Sequence, residues 1–277
     1  ESLYRVLRLP AVGSKQFLIT IGDRTVGGLV SRDPMVGPWQ VPVADSAVTL
    51  DDFEGRSAQA MSMGERTPLA IDDAPASGRI AVAEALTNLA GVAVSGIERI
   101  KLSANWMAAS GEPAQDAALY DTVKTVAEDL CPALGLAIPV GKDSLSMHAR
   151  WRDSTGDHHM LSPVSLVVSA FAPVPDARCV VTPQLQRVTA SRLLLIDSNA
   201  GCDRLGASAL AQVWSSEAGA GPDVDSPRAL RAGFLLVQRA LVEGRLLACH
   251  DRSDGGLITT VLEMAFAGRV GVELAGG

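Results

Sequence analysis

The sequence predicts a mixed α/β protein in two parts, and three observations point to it. Strand-like runs alternate with helix-like periodicities along most of the chain, the pattern of sheets covered by helices. Pro173 and Pro175 close the strand-like run of residues 162–172, and two prolines so near each other cannot continue a central strand. At 277 residues the chain is long for one domain and long enough to bury two cores. The expected parts are residues 1–174 and 175–277.

Composition excludes several classes of function. Hydrophobic residues make up 47%, charged residues 20% and aromatics 4%, which describes a soluble globular chain with aliphatic cores. A formal net charge of -7 and a pI near 5.1 argue against nucleic acid or an anionic membrane as partner, since neither polyanion gains from an acidic protein. No apolar run reaches the roughly 18 residues of a membrane span, and no signal peptide is recognisable. Cys131, Cys179, Cys202 and Cys249 are scattered without metal-site spacing, which fits buried free thiols in a reducing cytoplasm. The chain opens at Glu1 without Met and stops just past a strand-like stretch at 270–274, so a piece of a longer polypeptide is expected.

Residues 15–21 are rich in β-branched and aromatic side chains and read as a buried strand, with a second strand at 25–30. Residues 32–38 form a Pro- and Gly-rich loop that Trp39 should anchor by packing. Short strands at 40–44 and 47–50 flank Asp45, whose carboxylate can leave the sheet at the break or simply form a turn. Another extended segment ends at 61–68. Residues 74–90 then carry the clearest helical pattern of this half, with Ala83, Leu86, Leu89 and Ala90 on the apolar face. Glu84 and Asn88, four residues apart on that helix, emerge one turn apart on one side. Two oxygen donors so placed suit a hard cation, although a solvated polar face has the same spacing.

A strand at 98–102 runs on through 103–107, and residues 113–134 read as one amphipathic helix with Ala117, Tyr120, Val126, Leu130 and Leu134 among its buried positions. The strand at 136–140 delivers Gly141, Lys142, Asp143 and Ser144 to its end, a polar string without P-loop spacing. Strands at 145–151 and 162–172 flank a polar loop in which His158 and His159 are exposed. Beyond the prolines, strands at 192–197 and 246–249 alternate with helices at 206–214 and 228–243, and the connection 215–227 is expected to be mobile. The second strand leads into Cys249, His250, Asp251, Arg252, Ser253, Asp254, Gly255 and Gly256, just ahead of a helix pattern that Gly268 stops. The first turn of a helix leaves N–H groups unpartnered, so a glycine-flanked start can receive phosphate. Asp251 and Asp254 would repel that phosphate unless a divalent cation lay between. The alternative is an Asp/Ser cap in an ordinary turn.

Taken together, the strings at 32–45, 84–88, 101–107, 139–144 and 250–256 resemble, in order and spacing, the second synthetase half of large bacterial-type phosphoribosylformylglycinamidine synthases. The resemblance covers essentially the whole chain. It implies an aminoimidazole ribonucleotide synthetase-like N-terminal domain followed by part of a C-terminal α/β domain. It also implies membership of an ATP- and glutamine-dependent C–N ligase of purine biosynthesis, which converts formylglycinamide ribonucleotide to formylglycinamidine ribonucleotide. By the same resemblance, nucleotide contacts fall on Ala44 and Ser253 and magnesium ligands on Asp45, Glu84, Asn88 and Asp251, with ATP or ADP and Mg2+ as ligands. The implied partners are the first synthetase half and the glutaminase domain of the same polypeptide. No cysteine here matches the glutaminase nucleophile, so the piece alone is expected to be inactive. Stand-alone relatives of the selenophosphate synthetase or thiamine-phosphate kinase type carry a glycine-rich N-terminal segment that is absent before residue 15. A structural module that supports a catalytic half without binding nucleotide is the remaining alternative.

Overall fold

The computed structural model describes residues 1–22, 24, 27–198, 201–216 and 219–274. It opens with two short helices, α1 (Ser2–Arg8) and α2 (Gln16–Ile21). The strand expected at 15–21 is therefore helical. No sheet edge reaches it to supply ladder partners, and the run satisfies its backbone locally, with the Thr20 hydroxyl donating to the Gln16 carbonyl at 2.7 Å. Of the strand expected at 25–30, Thr25 and Val26 lie outside the described residues, and β1 (Val30–Arg32) begins only after the Gly27–Gly28 turn. Residues 40–44 supply a single bridge, Val36 to Val41, rather than a strand, since Gln40 turns the chain with φ 53°.

Then follow β2 (Ala47–Leu50), β3 (Ala58–Glu65), a 3-10 turn at Thr67–Ile71 and the long helix α3 (Ala74–Asn88). Asp73 caps α3 by accepting from the Ala76 N–H at 2.9 Å, and Pro75 sits in its first turn, where no intrahelical N–H is needed. A 3-10 turn at Ile97–Arg99 precedes β4 (Lys101–Met107), so the strand starts later than residue 98. The predicted helix at 113–134 is continuous but not uniform: α4 (Pro113–Lys124) passes through a π turn at Thr125–Leu130 into α5 (Cys131–Leu134). Its buried residues Thr122, Val126, Leu130 and Leu134 recur every fourth position. A wider π turn holds such a stripe on one face, whereas an α-helix of 3.6 residues per turn would rotate it away. Tyr120, expected in the core, faces away from that stripe and is 67% exposed.

The chain continues as β5 (Ala137–Ser144), the hairpin β6 (His148–Asp153) and β7 (Gly156–Leu161), and β8 (Ser165–Val174). Six strands form one sheet in the order β1-β2-β3-β8-β4-β5, antiparallel except for the β4–β5 pair. The polar string 141–144 lies within β5 rather than after it, paired with Ala104 to Met107, and Gly141 is required because a Cβ would stand 2.5 Å from the Ala104 carbonyl oxygen. His158 and His159 sit on β7, not in the loop, with His158 stacked on Trp151 at 5.0 Å between ring centroids. One face of the sheet packs on α3, joining Val82, Leu86 and Leu89 to Leu102, Leu166, Val168 and Ala170 in the main core.

Residues 175–274 add α6 (Ala209–Trp214), α7 (Pro227–Val242) and α8 (Leu257–Gly268). The strands expected at 192–197, 246–249 and 270–274 are irregular. An apolar run becomes a strand only beside a ladder partner, and among the described residues these have none; Leu194 stands 82% exposed. Leu230 and Phe234 of α7 join the main core, and the Gln238 side-chain amide donates to the Ala90 and Val92 carbonyls while its oxygen accepts from the Val94 N–H. The segment expected to be mobile at 215–227 is pinned where it is described: Asp223 takes a two-pronged ion pair from Arg79 at 2.6 and 2.7 Å, and Val224 is buried. Glu217 and Ala218 lie outside the described residues.

At the N-terminus, α1 packs on α6. Arg5 lies 4.2 Å over the Trp214 ring, the Trp214 indole N–H donates to Ser2, and Val6 is buried. Trp39 is half exposed and held by the Arg269 guanidinium 3.7 Å from its ring centre rather than by burial. Cys131 is buried as expected, but Cys179 and Cys202 are exposed because the segments bearing them lie over the surface. No described helix is long and apolar enough to cross a membrane.

Candidate functional site

The site is built where β3 and α3 touch. Gly64 permits this contact: a Cβ there would stand 2.2 Å from the Ala81 carbonyl oxygen and 2.4 Å from the Ala85 nitrogen. The buried Ser62 hydroxyl donates to the Ala85 carbonyl at 2.6 Å and fixes the same approach. Glu84 and Asn88 are thereby brought to the end of β3. Glu84 accepts from the Glu65 N–H at 2.8 Å, and the Asn88 side-chain nitrogen donates to the Met63 carbonyl at 2.8 Å, leaving its oxygen as a donor for other groups.

From the other end of the chain, the string at 249–256 brings His250 and Asp251 against Asp45. The Cys249 N–H donates to the Thr182 carbonyl, which ties this segment to the core side of the molecule. His250 lies between three acids: its Nδ1 is 2.6 Å from Asp45 and 3.8 Å from Asp251, and its Nε2 is 3.0 Å from Glu263 of α8. Ser253 donates its hydroxyl to Glu263 and lies 3.1 Å from His250 Nε2, while its N–H donates to Thr260 at 2.9 Å. Asp254 instead pairs with Arg66, whose other nitrogen donates to the Ala207 carbonyl at 3.3 Å. Neither Ser253 nor Asp254 therefore caps α8. The N-cap is Gly256, with φ 83°, and no side chain closes the first turn, so the helix start is open as a phosphate-receiving turn must be. Gly255, at φ 95°, makes the sharp entry possible.

The electrostatics show a cluster with too much negative charge in too little water. Burial pushes Asp251 up to about 8, with Asp45, Glu84 and Glu263 adding repulsion, and burial also raises Asp45. Burial pushes Glu84 up to about 7 against the Glu65 hydrogen bond, helped by Asp254 and Glu65. For His250, burial opposes charging, but the hydrogen bonds to Asp45 and Glu263 prevail and push it up to about 10. An imidazolium is thus the cation that holds the carboxylates together. The ligand atoms of Asp45, His250 and Asp251 lie within 4.8 Å of one another, and carboxylate oxygens are the donors a small divalent cation prefers, so the residues present fit such an ion.

Of the positions singled out in the sequence, Asp45 and Asp251 come together, and Ser253 stands beside them on His250. Glu84 lies close enough for its charge to raise Asp251, but its carboxylate is engaged with β3 and stands outside the three-residue group. Ala44 and Asn88 line, with Asp45, a polar cleft of about 640 Å3. Sequence reasoning gave no role to His250, Glu263 or Arg66. Glu263 had one signal, a lone acid between Leu262 and Met264 in an otherwise apolar helix.

Comparison with known proteins agrees with this architecture. A family model described as FGAR-AT PurM_N-like domain matches residues 14–173, and one described as AIR synthase related protein, C-terminal domain, matches residues 191–275. Among solved structures, the chain is similar to T. maritima PurL complexed with FGAR, at 12% identity and a TM-score of 0.60 over 97% of this chain and 38% of that one. It is also similar to PurLQS from Thermotoga maritima, at 19% identity and a TM-score of 0.46 over 62% of this chain and 25% of that one. T. maritima PurL complexed with ATP matches at 18% identity and a TM-score of 0.44, over 62% of this chain and 25% of that one. The first of these likenesses shows a shared fold, and the chain spans well under two thirds of the length of each. With a family model matching 14–173 of its 277 residues, the chain belongs to the FGAR-AT PurM_N-like family.

Proposed function

We propose that this chain is the second synthetase-type half of a phosphoribosylformylglycinamidine synthase and that it holds a magnesium nucleotide, ATP or ADP, in an auxiliary rather than a catalytic role. The observation that carries this is the convergence of Asp45 and Asp251, separated by 206 positions in sequence, on one buried, over-acidic cluster beside an uncapped helix start. In this proposal Asp45, Asp251, Glu84 and Asn88 hold magnesium, Ala44 and Ser253 contact the nucleotide, and the open first turn of α8 receives phosphate oxygens. Magnesium, when bound, offsets phosphate charge. The chain's own residues bind and orient the nucleotide and exclude water from it. ATP-dependent C–N ligation belongs to the whole polypeptide, with a first synthetase half and a glutaminase domain as partners in the cytoplasm. The domain division at residues 174 and 175 is part of the same proposal.

The test is to denature purified protein, identify any released small molecule by mass, and then dialyse the protein against Mg-ADP. Wild type should carry or take up adenine nucleotide in a magnesium-dependent way, and Asp45→Ala and Asp251→Ala should lose it while remaining folded. Folded wild type that neither carries nor takes up nucleotide would instead mark the chain as a structural support for its catalytic half.

A further inference from the structure

We infer that Arg32, assisted by Arg24, is the phosphate-binding arm of the cleft that Asp45 and Asn88 line. The assignment deepens the nucleotide proposal and rests on it for the identity of the ligand, though not for its phosphate chemistry. Arg32 ends β1, the edge strand of the sheet, and pairing slips by one residue between Val30 and Arg32. Such a bulge at an edge re-aims the side chain that follows it. Arg32 and Arg24 both line the cleft, alongside Asp33, Asp45, Asn88 and Gln184.

The hydrogen bonding of Arg32 is incomplete. One terminal nitrogen donates to the Ser31 carbonyl at 2.8 Å, but its Nε is buried and has no partner among the described residues. A buried guanidinium N–H left unpaired is costly, and the group that satisfies it best is an oxyanion accepting from two prongs of the fork. Arg24 is only loosely held, 3.4 Å from the Gln40 side-chain oxygen and 3.8 Å from Asp33, so it can turn to the same ligand. The cleft thus combines acids that need a cation with arginines that need an anion. A metal ion alone answers the first group and a neutral molecule answers neither. A metal-bound phosphate answers both. The phosphate could belong to a nucleoside polyphosphate or to a sugar phosphate monoester, and the two are separable by experiment.

Binding of Mg-ADP, adenosine, ribose 5-phosphate and tripolyphosphate should be measured by calorimetry on wild type, Arg32→Gln, Arg32→Lys and Arg24→Ala, each checked for folding by circular dichroism. Loss of a charge-assisted hydrogen bond at this site should weaken Mg-ADP roughly tenfold to a hundredfold in Arg32→Gln and leave adenosine unchanged. Arg32→Lys should fall between, because it keeps the charge and loses the fork. Should Arg32→Gln fail to fold, Arg32→Lys and Arg24→Ala carry the same expectation. Folded variants that bind Mg-ADP as wild type does would overturn the assignment while leaving nucleotide binding intact. If wild type binds no Mg-ADP, tripolyphosphate in EDTA decides: binding that Arg32→Gln abolishes sustains the phosphate arm without a nucleotide, and no binding overturns it. Ribose 5-phosphate binding that depends on Arg32 while Mg-ADP binding is absent sustains the arm and assigns it to a monoester.

Discussion

Two residues show how closely the site is set. Gly64 has no room for even one methyl group, since the atoms that would meet it are backbone atoms of α3 and cannot swing aside. Gly64→Ala should cost about 1–3 kcal/mol of stability in urea unfolding and should separate Glu84 from the Glu65 N–H. The second residue is Asp251. Its carboxyl, at about 8 against an ordinary 3.8, keeps in the folded chain a proton that the unfolded chain gives up. Glu84, at about 7 against 4.5, does the same, and His250, at about 10 against 6.5, holds its proton longer than an unfolded histidine. All three shifts have one sign: the folded state binds more protons. Without metal, in the presence of a chelator, stability contributed by this cluster should therefore fall as pH rises from about 4 towards about 10. Thermal melts across that range check it, and a cluster contribution that increases with pH would contradict the charge balance described.

At the scale of elements, Arg79 on α3 and Asp223 ahead of α7 tie two distant parts of the chain together. A double-mutant cycle with Arg79→Ala and Asp223→Ala should show coupling of about 1 kcal/mol or more, because both side chains are about three-quarters shielded and the pairing is two-pronged. Additivity would mean that the helices are held by their apolar contacts alone. Helix α3 was legible in the sequence because fifteen residues carry one consistent pattern between a cap and a final turn. The run 192–197 was not legible, because a strand and an exposed extended segment can share one composition and only a neighbouring strand distinguishes them. The π turn was hidden for a related reason: a four-residue stripe still reads as helical. At the site, Asp45 and Asp251 were carried by family-like strings. His250 and Glu263 depend on a tertiary meeting of the 249–256 segment with one face of α8, and local spacing carries no trace of that.

At the scale of the whole molecule, the site lies where the N-terminal sheet and the C-terminal helices meet, so a ligand bound there should hold both. If Mg-nucleotide binds only the folded chain, stability should rise by about 2.7 kcal/mol at a hundred times Kd, with no such gain for Asp251→Ala. Calorimetric unfolding at several nucleotide concentrations reads that slope. The first helix enters the same balance. A Cβ on Gly255 would stand 3.1 Å from a Val6 methyl, which means that α1 leans directly on the glycine turn opening α8. Linkage between the two is reciprocal: any ligand that fixes that turn must also slow amide exchange in α1, and any change that frays α1 must loosen the turn by the same free energy.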